Sequence, residues 1–570
     1  MLSSLRYWLV AVPALLATLV GLPAAAANAA IPITEARSSR LVDVAWLQQN
    51  RTEVLLLDAS MTPQHRAAHI AGAVSADFYR YSADEPNPAA MAQRMQSWGI
   101  SPGRKVVVYD QGGDWQAARL FHDLFVHGVP AQDLFLLDGG LTRWQALGGA
   151  VTQEPTPAPA RGSWQVSTRN SEGRSQERVR LPEFLQASGD PTRHVLVDAL
   201  TPSYYYGQEK FFDRAGHVPG AVLMPSEDFF NADKTFKSAD EIRRLLRYHG
   251  VRAEQTVHTH CGGGGAAATP WFALRFIAGH ASAKLYLGSH REWLRDDRGL
   301  PFWTYSAPQM LRETAWLAGW NAPMLRAFGA TQINIIDVRS PQAYAQGHLP
   351  FALNLPAANL RTQLRQTAAL AAALGPAGVQ PGHEVVLVSD GGISKDAALA
   401  FVAFEQLGHA KVSLLMDSVE DWAYRGQETT RQPTRVGMPT APGEITVPPA
   451  LYPLRSVPSR LASESDPPNG EFPRVWVDAG RVVGTAGTAG TAGTAGTAPR
   501  TGRTLRLPYT ELLGERNLPK PAPELWKIIE KAGVPRHAEL VLMADDAAEA
   551  AVAYVVFKLM GWPDVKVALR

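Results

Sequence analysis

Four aspartates recur along the chain at an almost constant interval, each closing a short run of apolar residues. The runs are Val54-Leu55-Leu56-Leu57-Asp58, His194-Val195-Leu196-Val197-Asp198, Ile333-Asn334-Ile335-Ile336-Asp337 and Val475-Trp476-Val477-Asp478. Successive aspartates stand 140, 139 and 141 residues apart. Solenoid repeats are shorter, about 20–50 residues. A period this long is that of a whole domain. The 570-residue chain therefore reads as four copies of one domain.

Each copy carries a second apolar run: Lys105 to Asp110, Thr256 to Cys261, Glu384 to Asp390 and Leu540 to Asp545. An alanine-rich helical pattern follows each. A third run closes the copies at Leu134–Asp138, Lys284–Leu287, Val412–Asp417 and Val565–Leu569. Apolar strands alternating with helices predict a parallel sheet covered on both faces, with ligands at the carboxyl ends of the strands. The expected domains are 36–150, 165–300, 311–430 and 454–570. They are joined by the Pro- and Ala-rich stretch Val151–Ser163, by Pro301–Met310, and by the proline-rich Gln432–Pro453. The fourth copy is the most degenerate, because a Gly-Thr-Ala tract from Gly484 to Ala498 interrupts it. Such a low-complexity tract is expected to be a flexible loop.

Only the second copy offers a nucleophile where its second strand ends. Cys261 is the single cysteine of the chain, in His258-Thr259-His260-Cys261-Gly262-Gly263-Gly264-Gly265-Ala266-Ala267-Ala268-Thr269-Pro270-Trp271. Four glycines between a strand end and a helix start let successive N–H groups converge on one point. A sulfur there is favoured as the anion. The competing reading is a small buried hydrophobe beside a loop, as free cysteines usually are. Pro270 suits the first helical position, with Thr269 as its cap, and Trp271 reads as core. His258 and His260 share a strand face; protonated they bias a thiolate, packed they do not. They lack further ligands at suitable spacing, so no metal is assigned. Arg214, just before Gly216-His217, is a candidate for holding an anionic donor at the loop mouth.

These residues resemble the rhodanese family of sulfurtransferases. The resemblance rests on the strand-ending aspartates, on Gly216-His217-Val218-Pro219-Gly220-Ala221, on the Cys261 loop, and on Leu285-Tyr286-Leu287-Gly288-Ser289-His290-Arg291-Glu292-Trp293. The last is similar to the family's Tyr-x-Gly-Ser-Trp-x-Glu-Trp element. The resemblance implies an α/β fold of four tandem rhodanese-like domains, each a mostly parallel five-stranded sheet flanked by helices. It implies one active module, with Asp110, Asp390 and Asp545 standing at the cysteine position in the others. It also implies that Cys261 takes sulfane sulfur from a donor such as thiosulfate or 3-mercaptopyruvate, becomes a persulfide, and passes the sulfur to cyanide or a thiol. Gly262, Gly263, Gly264, Gly265 and Ala266 would line the substrate site with Arg214, and no cofactor is implied. Gly207 and Glu209 match a region of the family that shapes the pocket wall. The loop departs from the Cys-Gly-Ser-Gly-Val-Thr pattern of mercaptopyruvate enzymes, since Ala266 replaces the threonine, and it lacks the basic residues of thiosulfate enzymes. Ala267 stands where a related phosphatase would need arginine, which argues against phosphate clamping.

The amino terminus reads as a secretory signal. Arg6 precedes an apolar stretch from Trp8 to Leu22, and Ala27-Asn28-Ala29 fits a cleavage site after Ala29. The mature chain is then periplasmic or secreted, without a membrane segment. An oxidising compartment makes a lone thiol a hazard unless it has a use. Fifty-five basic against 53 acidic residues give a net charge of +2, which does not suggest nucleic acid. The expected partners are a small sulfur donor and a thiol or cyanide acceptor, with a protein acceptor also open. The alternative is a non-catalytic binding or sulfur-carrier protein built from degenerate modules.

Overall fold

The computed structural model describes residues 40–81, 87–166, 177–438, 440, 444–481 and 503–569. The signal segment and the Gly-Thr-Ala tract lie outside them. Within them stand four five-stranded sheets, all parallel. In the first, the order across the sheet is Leu41–Val42, Leu134–Leu137, Val106–Tyr109, Leu55–Asp58 and Val74–Ser75. Numbered by sequence within a module, that order is one-five-four-two-three.

The same order recurs in the second sheet, from Arg178–Val179 through Ala283–Tyr286, Thr256–His260 and His194–Asp198 to Val222–Leu223. It recurs again in the third and in the fourth, where Arg474–Asp478 lies between Glu539–Met543 and Arg503–Arg506. The interrupted fourth copy thus keeps the full sheet. The second and fourth strands of each module are central, and their side chains are buried on both faces. This is why they read as unbroken apolar runs instead of alternating ones.

The modules pack in pairs through the helix that follows each fourth strand. Every residue of Gln116–Val126 is buried, as expected of a helix covered all round. It lies on Ala268–Phe272 of the second module, with Phe121 and Phe272 rings 4.9 Å apart and His122 and Trp271 rings 4.6 Å apart. Lys395–Gln406 and Ala547–Leu559 repeat this packing in the third and fourth modules. One apolar core consequently runs through modules one and two, and another through two, three and four.

The expected linker from Pro301 to Met310 is a seam. Tyr305 Oη donates to Lys520 O at 2.7 Å and Ser306 Oγ to Met560 O at 3.0 Å. Tyr206 Oη of the second module also reaches Met560 O, at 2.8 Å. Among the described residues no helix is long and apolar enough to cross a membrane.

Candidate functional site

Register identifies which residues correspond between modules. Asp198 pairs with His260, Asp58 with Tyr109, Asp337 with Val388 and Asp478 with Met543. The next residue is Cys261 in the second module, and Asp110, Ser389 and Ala544 in the others. This corrects the expectation for Asp390 and Asp545, which stand one residue further on. The third and fourth runs end in aspartate, but the strands pair one step out of phase with that reading. Asp110 does hold the corresponding place. Its carboxylate accepts from Gly112 N at 2.8 Å and Ala117 N at 2.9 Å. Burial, with Asp114 nearby, pushes its pKa up to about 7.

Cys261 is 3% exposed. Gly264 N donates to its Sγ at 3.1 Å. No other hydrogen bond to the sulfur appears among the described residues, so the ring of amides expected from the glycines reduces to one donor. The main chain of the loop is held from the helix Ser289–Arg295: Cys261 N donates to Ser289 Oγ at 3.1 Å, and His290 N and Arg291 N donate to Cys261 O and Gly262 O, both at 3.0 Å.

The glycines do different things. Gly264 has φ +82°, and a Cβ on it would lie 2.6 Å from Leu287 O, so only glycine fits. Gly262 lies against the Phe211 ring and Gly265 against Trp115, with would-be Cβ contacts of 3.1 and 2.9 Å. A Cβ on Gly263 would meet nothing within 4 Å. Gly263 and Ala266 are the partly exposed residues of the loop, so the sulfur is approached over them.

Trp115 belongs to the first module, and so does a second contact to the loop. Arg119, on the buried helix Gln116–Val126, donates from Nη1 to Gly264 O at 3.0 Å. Its Nε meets Asp123 Oδ2 at 2.9 Å, and Tyr81 Oη donates to the same oxygen at 2.8 Å. Burial alone would lower the Arg119 pKa, but Asp123, Tyr81 and Cys261 together raise it. The guanidinium therefore stays charged beneath the loop. An arginine in an alanine-rich helix of another module carries no local sequence signal for this role.

Other expected residues fall nearby in different roles. Arg214 lines a small cleft with Tyr204, Glu209, Phe211, His290 and Phe302. Its Nη2 is taken by Leu300 O at 2.7 Å. Gly207 has φ +80° and packs against Thr304. Trp271 is core, as expected. The helix after the loop begins at Ala268, two residues before the predicted start at Pro270, and Thr269 lies inside it without a capping bond. The loop's Gly265 and Ala266 carbonyls already accept from the N–H groups of Ala268 and Thr269, which carries the turn upstream of proline.

His258 and His260 do share a face, both against Phe184. Burial lowers each to a pKa of about 3, so neither is charged at neutral pH and neither biases the thiol by charge. Asp198 orients backbone, accepting from Leu200 N at 3.0 Å. Burial alone would raise it, but His290 and His260 hold its carboxyl down at about 2.

This arrangement has counterparts. The family model described as "Rhodanese-like domain" matches residues 42–147, 181–296 and 322–425, more than half of the chain. The chain belongs to the rhodanese family. The fourth rhodanese-like sheet lies beyond these matches but has the same strand order. Relatives include the "Sulfur carrier protein TtuD" of Thermus thermophilus, 28% identical over 270 residues, covering 44% of this chain and 93% of the relative. A "Putative thiosulfate sulfurtransferase" of Mycolicibacterium smegmatis is 28% identical over 276 residues, covering 45% and 95%. A "Probable 3-mercaptopyruvate sulfurtransferase" of Pseudomonas aeruginosa is 31% identical over 220 residues, covering 37% and 72%. Among solved structures, the 3-mercaptopyruvate sulfotransferase SseA of Escherichia coli aligns with a TM-score of 0.40 and 25% identity, over 44% of this chain and 99% of that one. These relatives each match less than half of this rhodanese chain.

Proposed function

We propose that the protein is a sulfurtransferase in which Cys261 of the second rhodanese module carries sulfane sulfur. The observation behind this reading is the thiol at the carboxyl end of a central strand, with Gly264 N directed at it, in the one module that has a cysteine at that register position. The Cys261 thiolate attacks the outer sulfur of a donor. With thiosulfate the S–S bond breaks and sulfite leaves with the electron pair; with 3-mercaptopyruvate the C–S bond breaks and the pyruvate enolate leaves and takes a proton. Cys261 is then a persulfide. A thiol or cyanide acceptor attacks the outer sulfur, and the Cys261 thiolate is released. The Gly264 N–H and the Arg119 charge beneath the loop stabilise the anion without a general base. Gly262, Gly263, Gly264, Gly265 and Ala266 form the wall over which the donor enters, with Arg214 at the cleft beside it. The remaining modules, without a thiol, act as scaffold, and the chain is exported to the periplasm or beyond with cleavage after Ala29.

The experiment is intact mass spectrometry of the protein after incubation with thiosulfate or 3-mercaptopyruvate. A gain of one sulfur in wild type and none in Cys261→Ser is expected. A gain in the variant, or none in wild type with either donor, overturns the reading. The burial of Cys261 favours a second reading, a sulfur carrier serving a protein acceptor. Persulfide formation without turnover on cyanide or small thiols would select it. Amino-terminal sequencing of the exported protein checks the cleavage site.

A further inference from the structure

The fold brings together three side chains that are far apart in sequence. Asp198 and His260 end neighbouring strands of the second module and are register partners. His290 sits in the first turn of Ser289–Arg295, the helix that holds the Cys261 loop. Asp198 Oδ2 lies 3.0 Å from His290 Nε2 and 3.7 Å from His260 Nε2. One donor atom from each residue lies within 4.8 Å of the other two. All three residues are buried. Among the described residues, Asp198 Oδ2, His290 Nε2 and both ring nitrogens of His260 have no hydrogen-bond partner. The 3.0 Å approach of His290 to Asp198 is a charge contact and is not aligned as a hydrogen bond.

Leaving several such atoms unsatisfied in the core is costly. A salt link between Asp198 and one protonated histidine would satisfy one pair and leave the second imidazole orphaned. A cation at the common focus satisfies a donor atom of all three residues. Around a tetrahedral ion with bonds near 2.0–2.1 Å, neighbouring ligand atoms lie about 3.3 Å apart. The two measured edges bracket that value. Two imidazoles and one carboxylate form a donor set suited to Zn²⁺ and related ions. The second carboxylate oxygen is already fixed by Leu200 N, as an orienting partner should be.

We propose that Asp198, His260 and His290 form a binding site for a divalent transition-metal ion of the zinc class. The fourth position is left to a water or small anion entering along the cleft that His290 lines. Cys261 Sγ is not among the converging atoms, so the ion leaves the thiol free. It ties the strand that leads into Cys261 to the helix that holds the loop, and makes the loop's geometry depend on metal.

The test uses the untagged full chain, stripped with a chelator and then passed over gel filtration with ZnCl₂. Bound zinc is measured by inductively coupled plasma mass spectrometry. One equivalent is expected in wild type and in Cys261→Ser, and its loss in His260→Gln and His290→Gln. Zinc should also raise the unfolding midpoint of wild type and not of His290→Gln. No retained zinc in wild type, or equal zinc in the histidine variants, overturns the site. Should the variants fail to fold, Co²⁺ substitution of wild type decides. Tetrahedral ligand-field bands without a thiolate charge-transfer band support the site; a thiolate band, or no tetrahedral spectrum, overturns it. None of these readouts depends on sulfur transfer.

Discussion

At the scale of single residues, the loop around Cys261 shows that four identical neighbours carry unequal constraint. Gly264 combines φ +82° with a carbonyl 2.6 Å from any added Cβ. Gly264→Ala is expected to cost about 1–3 kcal/mol, and to displace the N–H that meets the sulfur. Gly263→Ala should leave the unfolding midpoint nearly unchanged, because open space surrounds that Cβ. Paired thermal unfolding scans test this, and equal losses would contradict it. Asp110 makes a prediction in pH. Its pKa is raised from 3.8 to about 7 by burial and by Asp114. A raised acid in the folded state favours folding below the unfolded pKa and loses that contribution as pH rises through about 7. The loss is roughly 4 kcal/mol at most. Asp110→Asn removes the titration but can accept only one of the two N–H bonds. The variant should be the less stable protein at pH 4, and the gap should close towards pH 8. A gap independent of pH would refute the raised pKa.

At the scale of elements, the helix Gln116–Val126 belongs to one module by sequence and to two by packing. Arg119 lies under the loop of the second module, with Asp123 as its buried counter-charge. Arg119→Met strands the Asp123 carboxylate in the core, and breaking a buried pair in this way costs about 3–5 kcal/mol. Arg119→Met with Asp123→Leu removes both charges and should recover much of that loss. A double-mutant cycle by chemical denaturation measures the coupling. If the double variant is as unstable as the sum of the singles, the pair is not coupled as described. The run Val106–Tyr109 was legible as a central strand, because a strand buried on both faces has nothing to alternate. Arg119 was not legible, because a charge in a helical pattern is normally solvated and only a second module covers it.

At the scale of the molecule, the modules share cores. Trp271 and Phe272 of the second module lie against Phe121 and His122 of the first. Tyr206 stacks on Trp526 of the fourth. Residues 165–300 expressed alone should therefore expose large aromatic faces, bind a hydrophobic dye and lack a cooperative unfolding transition, while the full chain shows one. A cooperative, dye-silent isolated module would show that the shared cores are dispensable.

The fourfold repetition, the parallel sheets and the strand end that bears the one thiol were all legible in the order of the residues. All follow from patterns a few residues long: apolar runs, a terminal acid, glycines before a helix. The packing of the folded chain settled the rest. It set the register that puts Ser389 and Ala544, not Asp390 and Asp545, at the place Cys261 holds in the second module. It also brought Arg119 under the loop and gathered Asp198, His260 and His290. Register depends on hydrogen bonds between strands, and these clusters on side chains from separate elements, so neither leaves a local pattern to read.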